Sequence, residues 1–399
     1  MPTPREFAVD VVRALRDAGH EALFAGGCVR DELLGVEPKD YDVATSARPE
    51  QVRRLFRRTI AVGAAFGVVE VLGPNRLNVQ VATFRSDSAY IDGRRPESVV
   101  FCSAEQDAQR RDFTINGMFF DPLGERLIDH VGGRADLSAH VLRAIGDAAA
   151  RFREDRLRML RAVRMAARFG LDIDPDTAAA VLDMAAQLAD GVSAERIADE
   201  LRKMLADPHR ARAMRLLTDL GLAAVVLPEM VPEGISVVER LAEPISFPLA
   251  FAALLPTTAR RAAGEIALRL KLSTQERECI EWLVENRRTL ADVGTMRPAR
   301  LKPLLVHPGI EDLLALHRAI GDDPGAAGYA VTMREQWDAA GELNPPPLLT
   351  GNDLLAMGLP QGPMYKPLLQ RVRDAQLDGE IRTREEAVGL VKGVVAGRT

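Results

Sequence analysis

The apolar pattern of this 399-residue chain changes once, near Asp147, and that change limits the folds open to it. Before it, short β-branched or alternating segments are bounded by glycine, as strands are. Ala22–Ala25 reads as one strand, and residues 61–73 read as two strands joined by a close turn. Residues 76–85 alternate, with Leu77, Val79, Val81 and Thr83 on one face and Asn78, Gln80, Ala82 and Phe84 on the other. Residues 5–18 have helical spacing through Phe7, Val11 and Leu15. After Asp147 the helical period runs almost throughout, in residues 154–169, 175–188, 193–205 and 208–220, with Ser, Asp or Pro as start signals. The expectation is an α+β chain: a head with a small mixed sheet over residues 1–146, then an all-helical arm.

Within the head, Gly26 and Gly27 follow the first strand and lead into residues 28–34, which read as the first turns of a helix. A diglycine turn opening a helix presents backbone N–H groups to an anion, and Arg30 adds a guanidinium. Shortly downstream, Asp40 and Asp42 flank Tyr41. In extended backbone residues i and i+2 share a face, so the two carboxylates repel unless divalent cations lie between them. Hard oxygen ligands select Mg²⁺, which also binds substrate phosphates. Phosphate cradle plus metal carboxylates points to a nucleoside triphosphate and metal-assisted nucleotidyl or phosphoryl transfer. An acidic pair alone is more often solvated charge; here further motifs follow in order.

Arg111, Asp112 and Asn116 read as part of a helix, with Asp112 and Asn116 one turn apart on one face. Asp155 and Arg158, at i and i+3, lie about 60° apart on a helix and can face one pocket. A carboxylate accepting from an exocyclic amine, with a guanidinium donating to ring acceptors, reads a base edge as another base would. Cytosine and adenine offer that amine, whereas uracil and guanine offer a carbonyl. The pair therefore predicts C and A as substrates.

Gly26-Gly27-x-Val29-Arg30-Asp31, Asp40-x-Asp42, residues 110–118 (RRDFTINGM) and Glu154-Asp155-x-x-Arg158 occur together in this order. In these motifs the chain resembles the class II tRNA nucleotidyltransferases and bacterial poly(A) polymerases, from about residue 20 to at least 230. A fainter echo lies in residues 348–359. The resemblance implies a polymerase-β-like nucleotidyltransferase head, a helical neck with the base-recognition helix (147–208), a helical body (209–300) and a tRNA-binding helical tail (301–399). It implies two Mg²⁺ ions on Asp40 and Asp42, with ATP and CTP as substrates. Gly26, Gly27 and Arg30 would hold the nucleotide, Arg111 would contact its triphosphate, and Asp112 and Asn116 would orient its ribose. Asp155 and Arg158 would read the base. Arg161 and Arg164 leave the base plane on a regular helix, yet the resemblance places both in the nucleotide site. Residues 86–96 resemble the loop that relatives use when switching from C to A, and its length is intact. One position departs: where relatives often carry a third carboxylate, this chain has Gln80, which cannot act as a base at neutral pH.

Hydrophobic residues make up 47% and charged residues 27%, as in an ordinary globular protein of two to four domains, and no apolar run approaches a membrane span. Cys28, Cys102 and Cys279 are few and far apart, which fits a reducing cytoplasm and no disulfide framework or zinc site. Cys28 reads as a small buried residue beside the phosphate loop, not a nucleophile. The net charge of −5 alone argues against a nucleic-acid partner, but arginines cluster locally at 53, 54, 57 and 58 and again from 151 to 168. For the first cluster a solvated helix face is the competing reading. The expected activity is template-independent addition of C and/or A residues to a tRNA 3′ end, as CCA or terminal A only. A poly(A) polymerase shares every head motif and is the alternative; a non-catalytic RNA-binding relative is the third reading, motivated by Gln80. No appended phosphohydrolase motif occurs, and no protein partner is evident.

Overall fold

The computed structural model describes residues 2–63, 67–87, 99–256, 260–321 and 323–397. The chain forms two compact units, Met1–Glu229 and Met230–Thr399. The first opens with α1 (Pro4–Asp17), started by a Thr3–Glu6 capping box with Pro4 in the first turn. There follow β1 (Ala22–Ala25), α2 (Gly27–Leu33), β2 (Asp42–Thr45), α3 (Pro49–Leu55), β3 (Thr59–Gly63), β4 (Val68–Leu72) and β5 (Asn78–Thr83). A ribbon of β6 (Arg85–Asp87) and β7 (Val99–Phe101) leads to α4 (Ala104–Gln109), β8 (Phe119–Asp121), β9 (Arg126–Ile128) and α5 (Gly133–Ser138).

Seven of these strands form one sheet in the order β3-β4-β5-β2-β1-β8-β9. It is mixed, because β2 and β5 run parallel while the other pairs are antiparallel. Alternation gives the sheet two different faces. Phe24, Val43, Val81 and Val69 lie in one register row, all buried, on the side covered by α1 and α3. Leu23, Ala25 and Ala44 point to the other side and pack with Phe84, Ala108 and Phe119. Asp42 and Gln80 also point there, and the candidate site opens on that face.

Helices then take over: α6 (Ala148–Glu154), α7 (Leu157–Phe169), α8 (Pro175–Met184), α9 (Ala194–Leu205) and α10 (Arg210–Asp219). Residues 154–169 are therefore not one helix. Asp155 is extended (φ −149°, ψ 102°) and its carboxylate accepts from Leu157 N at 3.1 Å, so the side chain competes with the helical backbone and restarts it. Residues 111–116 are not a regular helix either. Phe113 is extended and buried, bridged to Ala144, and only Thr114–Asn116 makes a 3₁₀ turn. Tertiary pairing of this backbone with residues 143–145 overrides the local pattern.

The second unit is helical over its described residues. Phe247–Leu254 is buried on nearly all sides, and Arg287 donates to the carbonyls of Ala252, Ala253 and Leu255 at its end. Toward the C-terminus, Leu349, Leu354, Leu368, Val372, Ala387 and Val391 form a separate small core. Among the described residues no helix is long and apolar enough to cross a membrane.

Candidate nucleotide-binding site

A pocket of ≈ 560 Å³ gathers Gly26, Gly27, Arg30, Asp42, Gln80, Arg111, Asp112, Asn116, Asp155, Arg158, Arg161 and Arg164. Residues up to 171 positions apart in the chain thus meet in one place (25 to 196). Asp40 does not line it. β2 begins at Asp42, and Asp40 lies exposed in the bend before it, so the two carboxylates do not share strand geometry. They remain close enough to interact. Burial pushes the Asp42 carboxyl up, Arg111 pulls it back, and Asp40 raises it further.

Gly26 sits at φ +72°, and a Cβ there would come within 3.2 Å of Arg111 Nη1, so the turn needs glycine on both counts. α2 starts on Gly27 with no side-chain cap, which leaves its first N–H groups facing the pocket. Arg30 is 5% exposed; its Nη1 donates to Asn116 Oδ1 at 2.6 Å, and its guanidinium lies 4.2 Å from the Phe169 ring centre. Asp31 takes two further bonds from it. Arg30 is a rigid wall more than a free arm.

Asp112 is the best-satisfied carboxylate in the pocket. It accepts from Arg161 Nε and Nη2 at 2.9 and 2.6 Å, from Phe113 N at 2.8 Å and from Asn116 Nδ2 at 3.1 Å. Burial alone would raise its pKa; Arg161 and the hydrogen bonds overcome that and hold it at about 2. Arg164 donates to Glu200 Oε2 at 2.6 Å, and Glu200 stays ionised despite burial because Arg164 and Lys203 flank it. Helix drift does not remove Arg161 and Arg164 from the site, since both line the pocket.

Across the pocket, Asp155 Oδ2 accepts from Arg196 Nη2 at 2.7 Å. Arg158 donates to Glu154 at 2.7 Å and to the carbonyls of Arg151 and Arg110 at 3.1 and 3.2 Å. Three site residues escape sequence reasoning. Arg196 and Glu200 belong to α9, whose polar residues look like an ordinary solvated face. Asp107, 1% exposed, takes Arg110 at 2.7 Å and Arg111 at 2.8 Å and aims both. In the sequence it looks like one more acid in the first turn of a helix, and only its burial reveals the clamp. Cys28 is buried and its thiol is pushed up to about 11, an inert side chain.

Glu70, Gln80 and Asp42 occupy one register row on β4, β5 and β2, but Glu70 is held by Asn78. No cluster of three or more metal-ligating side chains occurs among the described residues. Of the loop at residues 86–96 expected to serve the switch from C to A, residues 88–96 lie outside the described residues. A larger groove of ≈ 810 Å³ in the second unit is lined by Arg288, Arg297 and Arg300 and by Glu285, Asp292 and Asp374, and has no glycine cradle.

Residues 22–143 match the poly A polymerase head domain, and residues 170–233 match the probable RNA and SrmB-binding site of polymerase A. The CCA-adding enzyme of Geobacillus stearothermophilus is 35% identical, over 97% of this chain and 96% of its own. The chain belongs to the CCA-adding enzyme family. It shares 33% identity with the CCA-adding enzyme of Lactobacillus johnsonii over 96% of this chain and 95% of that one. In structure it resembles the Bacillus stearothermophilus CCA-adding enzyme in complex with CTP, with a TM-score of 0.80, 30% identity and 99% coverage of both chains. The Thermotoga maritima CCA-adding enzyme complexed with tRNA, at 20% identity and a TM-score of 0.66, shares the fold. The family is one of nucleotidyltransferases, and the α+β head followed by helices is its architecture.

Proposed function

We propose that this chain adds C and A to the 3′ end of tRNA, using ATP and CTP, and that the pocket on the head sheet is where it does so. One observation carries the reading: Asp42, the Gly26-Gly27 turn, the Asp112–Asn116 pair and Asp155 with Arg158 converge on one cavity. That set supplies a charge site, a phosphate cradle, a ribose contact and a base contact in one chamber.

The Asp42 carboxylate accepts no hydrogen bond among the described residues, and burial raises its pKa. A carboxylate so placed fits a hard divalent cation, with Asp40 as the second donor and the Gln80 amide oxygen beside it. Asp42 and Asp40 would hold Mg²⁺ there, and the bound ion would supply activation of the attacking hydroxyl and charge neutralisation on the leaving pyrophosphate. The α2 N-terminus and Arg111 bind the triphosphate tail. Asp112 and Asn116, already bonded to each other, meet the ribose hydroxyls. Asp155 accepts the exocyclic amine of C or A, while Arg158 donates to the neighbouring ring acceptor. The 3′-hydroxyl of the RNA attacks the α-phosphorus, and pyrophosphate leaves. The three free thiols, Cys28, Cys102 and Cys279, support a reducing, cytoplasmic setting for this reading.

Asp42→Ala and Asp40→Ala should each abolish incorporation while tRNA affinity stays within about twofold, because affinity comes from phosphate contacts over a larger surface. Substantial residual activity in Mg²⁺ would remove the metal assignment. Terminal-A-only addition is a narrower form of the same reading.

A further inference from the structure

The head carries a second charged surface that the nucleotide pocket does not use. Where α3 runs into β3, Arg53, Arg54, Arg57 and Arg58 are all exposed. None of the four guanidinium groups has an ion-pair or hydrogen-bond partner among the described residues, unlike those of the α7 arginines, which are paired. Arg53 and Arg54 stand in the last turn of α3 and suit its C-terminal partial charge, but Arg57 and Arg58 lie beyond the helix and have no such reason. Nearby acids do not pair with them: Glu50 is at the other end of α3, and Glu70 accepts from Asn78 and forms no ion pair with the four among the described residues. Four uncompensated cations within six residues repel one another, in a protein whose net charge is −5.

The corner also connects to the site. Ile60, Glu70, Gln80 and Asp42 form one continuous register row across β3, β4, β5 and β2. Their side chains share the pocket face. Three strand spacings, about 14 Å in all, separate Asp42 from Ile60 at the sheet edge. Arg58 is one residue before β3, and its carbonyl accepts from Leu72 N at 2.9 Å, so the arginines sit directly at the end of that row. Ile60 and Leu55 add exposed apolar surface between them, at 48% and 38%.

We propose that this arginine corner is an RNA-docking surface of the head, which grips phosphates of the substrate away from its reacting 3′ end. The inference rests on the pocket being the site of nucleotide addition to RNA. Charge complementarity selects the partner: a polyanionic backbone releases counterions when it meets such a surface, whereas an exposed solvated face would gain nothing from leaving four arginines unpaired.

The test uses the full chain with Arg53, Arg54, Arg57 and Arg58 all changed to Ser, and a second variant with all four changed to Lys. Affinity for a tRNA transcript lacking its terminal A is measured by fluorescence anisotropy, without nucleotides, over a range of salt. The Ser variant should bind roughly tenfold or more weaker, and its slope of log K against log salt should fall by about 3, at about 0.7–0.9 per lost phosphate contact. The Lys variant should keep most of both, and incorporation by the Ser variant at saturating RNA should stay within about twofold of the parent. Unchanged affinity and slope would overturn the proposal and leave the corner to another partner, such as an acidic protein face. Equal loss in the Lys variant would overturn it too, since the contact would not be electrostatic. Binding is read apart from turnover: a parent that binds through the corner yet adds no nucleotide refutes the pocket reading alone.

Discussion

Asp155 meets the pocket with one oxygen on Arg196 and the other on the Leu157 amide, so its carboxylate is fixed in direction before any base arrives. Asp155→Ala should lift the penalty against a carbonyl at the base edge. Loss of one such contact costs on the order of 1–3 kcal/mol of discrimination, so misincorporation of U or G should rise roughly tenfold or more. Competition among all four ribonucleotides on one tRNA measures it. An unchanged preference with a slower rate would reduce Asp155 to a cap for α7. Gln80 lies in register with Asp42, where an added carboxylate would sit beside the Asp42 carboxylate. If the amide limits the rate, Gln80→Glu should increase turnover, and a large loss would show that the amide has a role of its own.

The elements that hold these residues depend on a few backbone and ionic devices. Gly26→Ala forces a Cβ into left-handed backbone, a strain of about 1–2 kcal/mol, and crowds Arg111. It should raise the KM for nucleotide more than it lowers kcat. Asp112 links the 3₁₀ turn to α7 through Arg161. Its folded pKa of about 2, below the ordinary 3.8, means the stabilisation is present above the unfolded value and is lost as pH falls toward the folded one. The difference corresponds to about 2 kcal/mol. Asp112→Asn should therefore lower unfolding stability by about that much near pH 7, and the gap should narrow between about pH 4 and pH 2. Denaturant unfolding of both proteins across that range checks it; a constant gap would contradict it. These elements also show where sequence reading stops. Strands β1, β4 and β5 and helix α1 are legible because their period and caps are local. The breaks at Asp155 and Phe113 are not, since each is fixed by a side-chain bond or a strand bridge to distant backbone. Most motif residues meet in one pocket, though Asp40 does not line it, whereas Asp107, Arg196 and Glu200 carry no motif and act only through partners that the fold brings near.

For the molecule as a whole, the family relationship extends along almost the entire chain, and helices follow the head in both units. The head motifs are shared with poly(A) polymerases, so the product of the reaction is what separates the readings. The decisive measurement supplies three tRNA transcripts, lacking A, lacking CA and lacking CCA, with CTP and ATP given separately and together. A pocket whose Asp155 and Arg158 read the amine edge of C and A should complete all three to a single CCA end and then stop. Extension into long A tails, or addition of nucleotides in proportion to their supply without regard to base, would contradict it.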